Sequence, residues 1–121
     1  MLIYLVLFSH WFADFVCQTD YQAQNKSKSM IALSSHISSY TVATIAVLTI
    51  GTMALGTEVG LVDILMYSAI NGVVHMFIDF FTSRVSSRLW ARGKVHYFFV
   101  TIGFDQFLHV AILIYTMSLL R

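Results

Sequence analysis

His10 and Asp14 stand four residues apart, as do His75 and Asp79, and Asp105 and His109 repeat the interval in reverse order. An i,i+4 step places both residues on one face of a helix, one turn apart. Each pair can therefore present an imidazole and a carboxylate to the same point. Gln18, Asn71 and Thr101 extend the three stripes by a further turn, and His36 with Tyr40 makes a weaker fourth. Imidazole and carboxylate together suit a divalent cation. Zinc accepts both and is the first choice, and manganese or iron accepts the same set.

The candidate metal ligands are His10, Asp14, His75, Asp79, Asp105 and His109, with His36 as a further ligand or a proton shuttle. This is more than one ion needs. Two ions would suit hydrolysis of a phosphoester, clamping the entering and leaving oxygens. With one ion, some residues would hold ligand imidazoles by their other nitrogen, and Asp14 or Asp79 is the candidate general base. A single His–Asp pair is more often a contact between helices. Three pairs on three helices point to a functional site, although a proton or ion pathway draws on the same residue types.

The sequence around these residues is strongly apolar. Of 121 residues, 58% are hydrophobic and 11% charged, there is no proline, and the mean hydropathy is +0.76. A soluble chain this small lacks the interior to hide so much apolar surface, and disordered chains are polar and charge-rich. The composition indicates an integral membrane protein. The lone Cys17 excludes an internal disulfide and a four-cysteine zinc site. A net charge of +1 names no partner, and the short basic segments give no footprint for nucleic acid. The chain is apolar from its first residue, without a basic leader, so the N-terminus reads as a retained helix rather than a cleaved signal.

Apolar stretches at about 2–18, 30–55, 61–82 and 95–120 predict one all-α, polytopic domain, a compact bundle of four helices. The first stretch is short for a span and could be re-entrant. Long apolar runs without alternation favour helices over a membrane barrel. The first and third connections carry Lys26, Lys28, Arg84, Arg88, Arg92 and Lys94, whereas the middle one carries Glu58 and no basic residue. The positive-inside rule then puts the basic loops in the cytoplasm of a bacterial cell, in its inner membrane, with both termini outside. Counted from the basic end, Asp14, His36 and Asp79 lie roughly 3–6 residues deep and Asp105 and His109 roughly 10–14. One polar chamber opening to the cytoplasm would satisfy all of them. Ser34, Ser35, Ser38 and Ser39 read as close helix packing, Trp90 as an interfacial anchor, and His96 as an interfacial residue.

The run His10-Trp11-Phe12-Ala13-Asp14-Phe15-Val16-Cys17-Gln18, then Asn25-Lys26-Ser27-Lys28 and His36, resembles the opening of a family of small bacterial and phage membrane proteins. His75-Met76-Phe77-Ile78-Asp79 and Asp105-Gln106-Phe107-Leu108-His109 resemble its other two signature blocks, HxxxD and DQxxH. More distantly, the arrangement is similar to predicted membrane-bound metal-dependent hydrolases. The resemblance implies a four-helix membrane protein, often phage-encoded, without an assigned activity. It draws Gln18, Lys26, Lys28 and Gln106 into the site as candidate substrate-binding residues, with a lysine reaching an anionic group at the chamber mouth. Cys17 stands where the family usually has an aliphatic residue.

The leading functional expectation is a metal-dependent hydrolase acting on a phosphate-containing or lipid-linked substrate at the cytoplasmic side, with Asp14, Asp79 and His36 as catalytic candidates. One alternative is an oligomer conducting ions or protons through shared polar seams. Another is a noncatalytic phage protein that binds a host membrane partner.

Overall fold

The computed structural model describes all 121 residues. It is all helical: α1 (Leu2–Trp11) runs into a π-helical turn (Phe12–Val16), followed by α2 (Asp20–Asn25), α3 (Met30–Ala54), α4 (Leu61–Ala91) and α5 (Val95–Thr116), with a closing 3₁₀ turn (Met117–Leu119). Three helices, α3, α4 and the α5 segment, are long and apolar enough to cross a membrane. The N-terminal helix is shorter, so the expected bundle of four helices, the first of them short, becomes three long helices and two short ones.

Two boundaries differ from the sequence expectation. The polar segment after the first helix contains α2. Its start is fixed by a capping box, in which Gln22 N–H donates to the Thr19 hydroxyl at 3.2 Å and Thr19 N–H donates to Gln22 Oε1 at 3.1 Å. The Gln22 side-chain amide then donates to the Ser35 and Ser39 hydroxyls on α3. These serines dock a short helix onto a long one. The second difference is α4, which continues nine residues past the expected end at 82. Its 31 residues span about 46 Å at 1.5 Å each, beyond a hydrocarbon core of about 30 Å. The helix stops at Gly93, whose φ of 66° lets its N–H and that of Lys94 bond back to the carbonyls of Trp90 and Leu89.

The bundle is partitioned along its length. At one end Val6, Leu48, Ile64, Tyr67, Leu113 and Leu120 form an apolar core, with Leu2, Leu5 and Val59 packed against it. Both chain ends therefore lie at the same end as the α3–α4 connector. Toward the other end the interior is polar: His10, Asp14, His36, His75, Asp79, Asp105 and His109 are all buried. The outside is the reverse, with Ile31, Val42, Ile50, Met53 and Phe107 exposed. Apolar outside and polar inside is the pattern that lipid as a solvent favours.

Candidate metal centre

Each element contributes to the polar interior. The π-helical turn carries Asp14, α3 carries His36 and Tyr40, α4 carries His75, Asp79 and Thr82, α5 carries Asp105, Gln106 and His109, and the end of α2 leads into Lys26. An i→i+5 bond from Cys17 N–H to the Phe12 carbonyl closes the π turn, the kind of local widening often found at functional sites. Gly72, one turn before His75, brings α4 against α3; a Cβ there would collide with the Thr41 hydroxyl.

Four side chains converge on one point: Asp14, His36, His75 and Asp79. His36 Nε2 lies 3.1 Å from Asp14 Oδ1, 3.4 Å from Asp79 Oδ2 and 3.3 Å from His75 Nε2. His75 Nε2 lies 3.3 Å from Asp14 Oδ1 and 3.5 Å from Asp79 Oδ2. A tetrahedron with ligand bonds of about 2.0–2.1 Å has edges of about 3.3–3.4 Å, and these five separations match it. Asp14 Oδ1 is buried and has no hydrogen-bond partner, although two imidazole nitrogens approach it this closely. Its lone pairs are left for something between the four atoms. The cluster can hold a divalent ion.

A second group shares a member with the first. Asp79 turns its Oδ1 toward His109 Nε2 at 3.2 Å, and Asp105 Oδ1 is 3.4 Å from the same nitrogen. Asp79, Asp105 and His109 form a three-donor set, with Asp79 positioned to bridge the two. Thr82 donates its hydroxyl to Asp105 Oδ1, and Lys26 Nζ reaches Asp79 Oδ2 at 2.7 Å.

His10 lies beside these groups and supplies no donor atom to either. Its contacts are consistent with one direction of donation. The Tyr40 hydroxyl donates to Nδ1 at 3.3 Å, Nε2–H donates to Gln106 Oε1 at 3.2 Å, and the Gln106 amide donates to Asp14 Oδ2 at 3.4 Å and Asp105 Oδ2 at 3.0 Å. In that order every group is satisfied, and both His10 nitrogens are occupied.

The other singled-out residues fall into two places. Gln18 lies with Asp14, Lys26, Asp105 and Gln106 around a cavity of about 180 Å³, its side-chain oxygen buried without a partner. Lys28 lies away from the cluster, on the wall of a larger cavity of about 480 Å³. Asn71 does not join the cluster; its amide donates to the Tyr67 carbonyl and the Thr116 hydroxyl. Tyr40, from the weaker fourth stripe, reaches the site through His10; Thr82 is a contact that sequence spacing does not single out, since a hydroxyl in an apolar helix has no signature of its own.

The family described as "Protein of unknown function (DUF3307)" matches residues 1–120. No curated protein and no solved structure matches the chain.

Proposed function

The chain belongs to the DUF3307 family, and we propose that it is a membrane-embedded metal-dependent hydrolase of phosphoesters. The observation that supports this most directly is the tetrahedral convergence of Asp14, His36, His75 and Asp79 beside an opening that holds Lys26. His36, His75 and Asp79 would hold the ion, a His₂-carboxylate set that zinc favours and manganese or iron accepts. When bound, such an ion supplies an activated water and polarises a phosphoryl oxygen.

The remaining residues have separate tasks. Asp14 Oδ1 has no other partner and accepts the proton of the attacking water as general base. The water oxygen bonds to phosphorus, the bond to the leaving oxygen breaks, and the proton taken up by Asp14 passes to that oxygen, which departs as the alcohol. Gln106 holds the far oxygen of Asp14 and so fixes which oxygen faces the water. Lys26, at the opening, meets the charge of the phosphoryl group as a flexible cation. The connection after α1, the last turns of α4 and the connection that follows α4 carry six of the seven basic residues, so this opening faces the cytoplasm. A cysteine at Arg92 in a Cys17→Ser background should react with an impermeant maleimide only after cells are opened; labelling of intact cells would reverse the orientation.

One observation favours a second reading. Four protein ligands close a tetrahedron, and closed sites are the structural ones, so the ion could simply clamp the bundle. Asp14→Asn separates the two in reconstituted protein assayed for phosphate release from long-chain phosphate esters. Hydrolysis predicts metal-dependent turnover that falls about 10²–10⁴-fold in the variant, with bound metal and melting temperature retained. A clamp predicts no turnover in wild type, and loss of both metal and thermal stability in the variant.

A further inference from the structure

The largest cavity, about 480 Å³, opens between the Lys26–Lys28 turn, the last turns of α4 and the first turns of α5. Its lining is of two kinds: Lys26, Lys28 and the hydroxyl-bearing Ser83 and Ser86, and the apolar Trp90, Phe98, Phe99 and Ile102. Ser83 Oγ is buried and has no hydrogen-bond partner, which is costly for a hydroxyl unless something else fills the space. Trp90 and Phe99 are 59% and 63% exposed, so the apolar part of the lining opens outward.

This cavity adjoins the metal centre. Lys26, Ser83, Ser86 and Ile102 also line a small pocket of about 60 Å³ whose far wall is Asp79, Thr82 and Asp105. Lys26 lines both the outer cavity and the small pocket against the His/Asp cluster, with its ammonium on Asp79.

Resting on the hydrolase reading for its purpose but not for its geometry, we propose that the outer cavity binds an amphiphile with an anionic phosphate headgroup. The phosphate sits against Lys26, Lys28 and Ser83. The first part of the apolar chain lies along Trp90, Phe98, Phe99 and Ile102 and continues into the bilayer. Charge complementarity selects the headgroup, since Lys28, the unpartnered Ser83 hydroxyl and, once it leaves Asp79, Lys26 line this cavity. The aromatic side opening to lipid selects a chain rather than a soluble sugar or nucleoside. Lys26 releases Asp79 when it takes the phosphate, which opens the way to the cluster.

Trp90 lies in the cavity wall and reports occupancy directly. In a Trp11→Phe background, in neutral maltoside micelles and after removal of metal with EDTA, dodecyl phosphate should change Trp90 emission saturably. The midpoint should rise at least tenfold in Lys26→Gln and measurably in Lys28→Gln, whose exposed side chain makes folding a lesser concern. Inorganic phosphate and dodecyltrimethylammonium at the same concentrations should give no saturable change. Equal binding of inorganic phosphate would overturn the amphiphile in favour of a free-anion site. A response undiminished in both lysine variants, or matched by the cationic amphiphile, would mean partitioning only and end the proposal. Because the protein is metal-free here, failure of the hydrolase reading leaves this titration unaffected, and failure of the titration leaves the metal centre standing.

Discussion

Gln106 touches three of the buried polar residues at once, accepting from His10 and donating to Asp14 and Asp105. It supplies no metal donor, yet it fixes the oxygens of two carboxylates. Outer partners of this kind typically hold 10–100-fold of metal affinity. Gln106→Leu should weaken binding by about that factor in a competitive chelator titration, with Gln106→Asn restoring part of it. Affinity unchanged in the leucine variant would mean that the carboxylates are held by packing alone. At this scale the sequence was informative: the i,i+4 spacing of His75–Asp79 and Asp105–His109 drew attention to residues that do lie together. His10 met the same spacing criterion, yet its nitrogens face Tyr40 and Gln106. Spacing on one helix specifies a face. Which residue across the interface meets that face depends on helix rotation, which no single helix encodes.

At the scale of elements, the close approach of α3 and α4 sets the His36–His75 distance. Gly72 permits that approach, because any Cβ would meet the Thr41 hydroxyl. Gly72→Leu should push the two helices apart, reduce bound metal to a small fraction and lower the melting temperature in detergent, by overpacking costs of about 1–3 kcal/mol. A variant that melts lower but keeps its full metal content would show that the site does not depend on this contact. The short elements explain what the sequence left hidden. Thr19 and Gln22 spell a capping box three residues apart, a signal for α2 that was present but lay in a segment read as a polar connector. The π turn at Phe12–Val16 has no such signal. It arises where Asp14 must face the cluster while the chain leaves α1, a demand of tertiary packing rather than of local propensity.

At the scale of the whole molecule, the protein divides into an apolar end around Tyr67 and Leu113 and a polar end around Asp79. The apolar end holds the helices together; the polar end places three carboxylates and four histidines inside a membrane bundle. An unpaired acid at the centre of a membrane helix costs about 2.5–3.5 kcal/mol on insertion scales. Lys26 neutralises one carboxylate, and a divalent ion held by His36, His75 and Asp79 beside Asp14 would offset a further part of that cost. Composition already separated membrane from soluble protein, and the three long spans followed from hydropathy. The extension of α4 beyond residue 82 did not, because Ser83–Ala91 is polar enough to resemble a loop and is helical through its own backbone bonds and its stop at Gly93.

The central claim is that the buried His/Asp cluster holds a metal ion, and elemental analysis of detergent-purified protein tests it most directly. Wild type and His96→Ala, a change at the start of α5 outside the cluster, should each carry at least one equivalent of a transition metal after purification without chelator. His75→Ala, which removes one corner of the tetrahedron, should carry almost none while keeping its helical content. The account is contradicted if wild-type protein holds no metal even after reloading, or if His75→Ala holds as much as wild type.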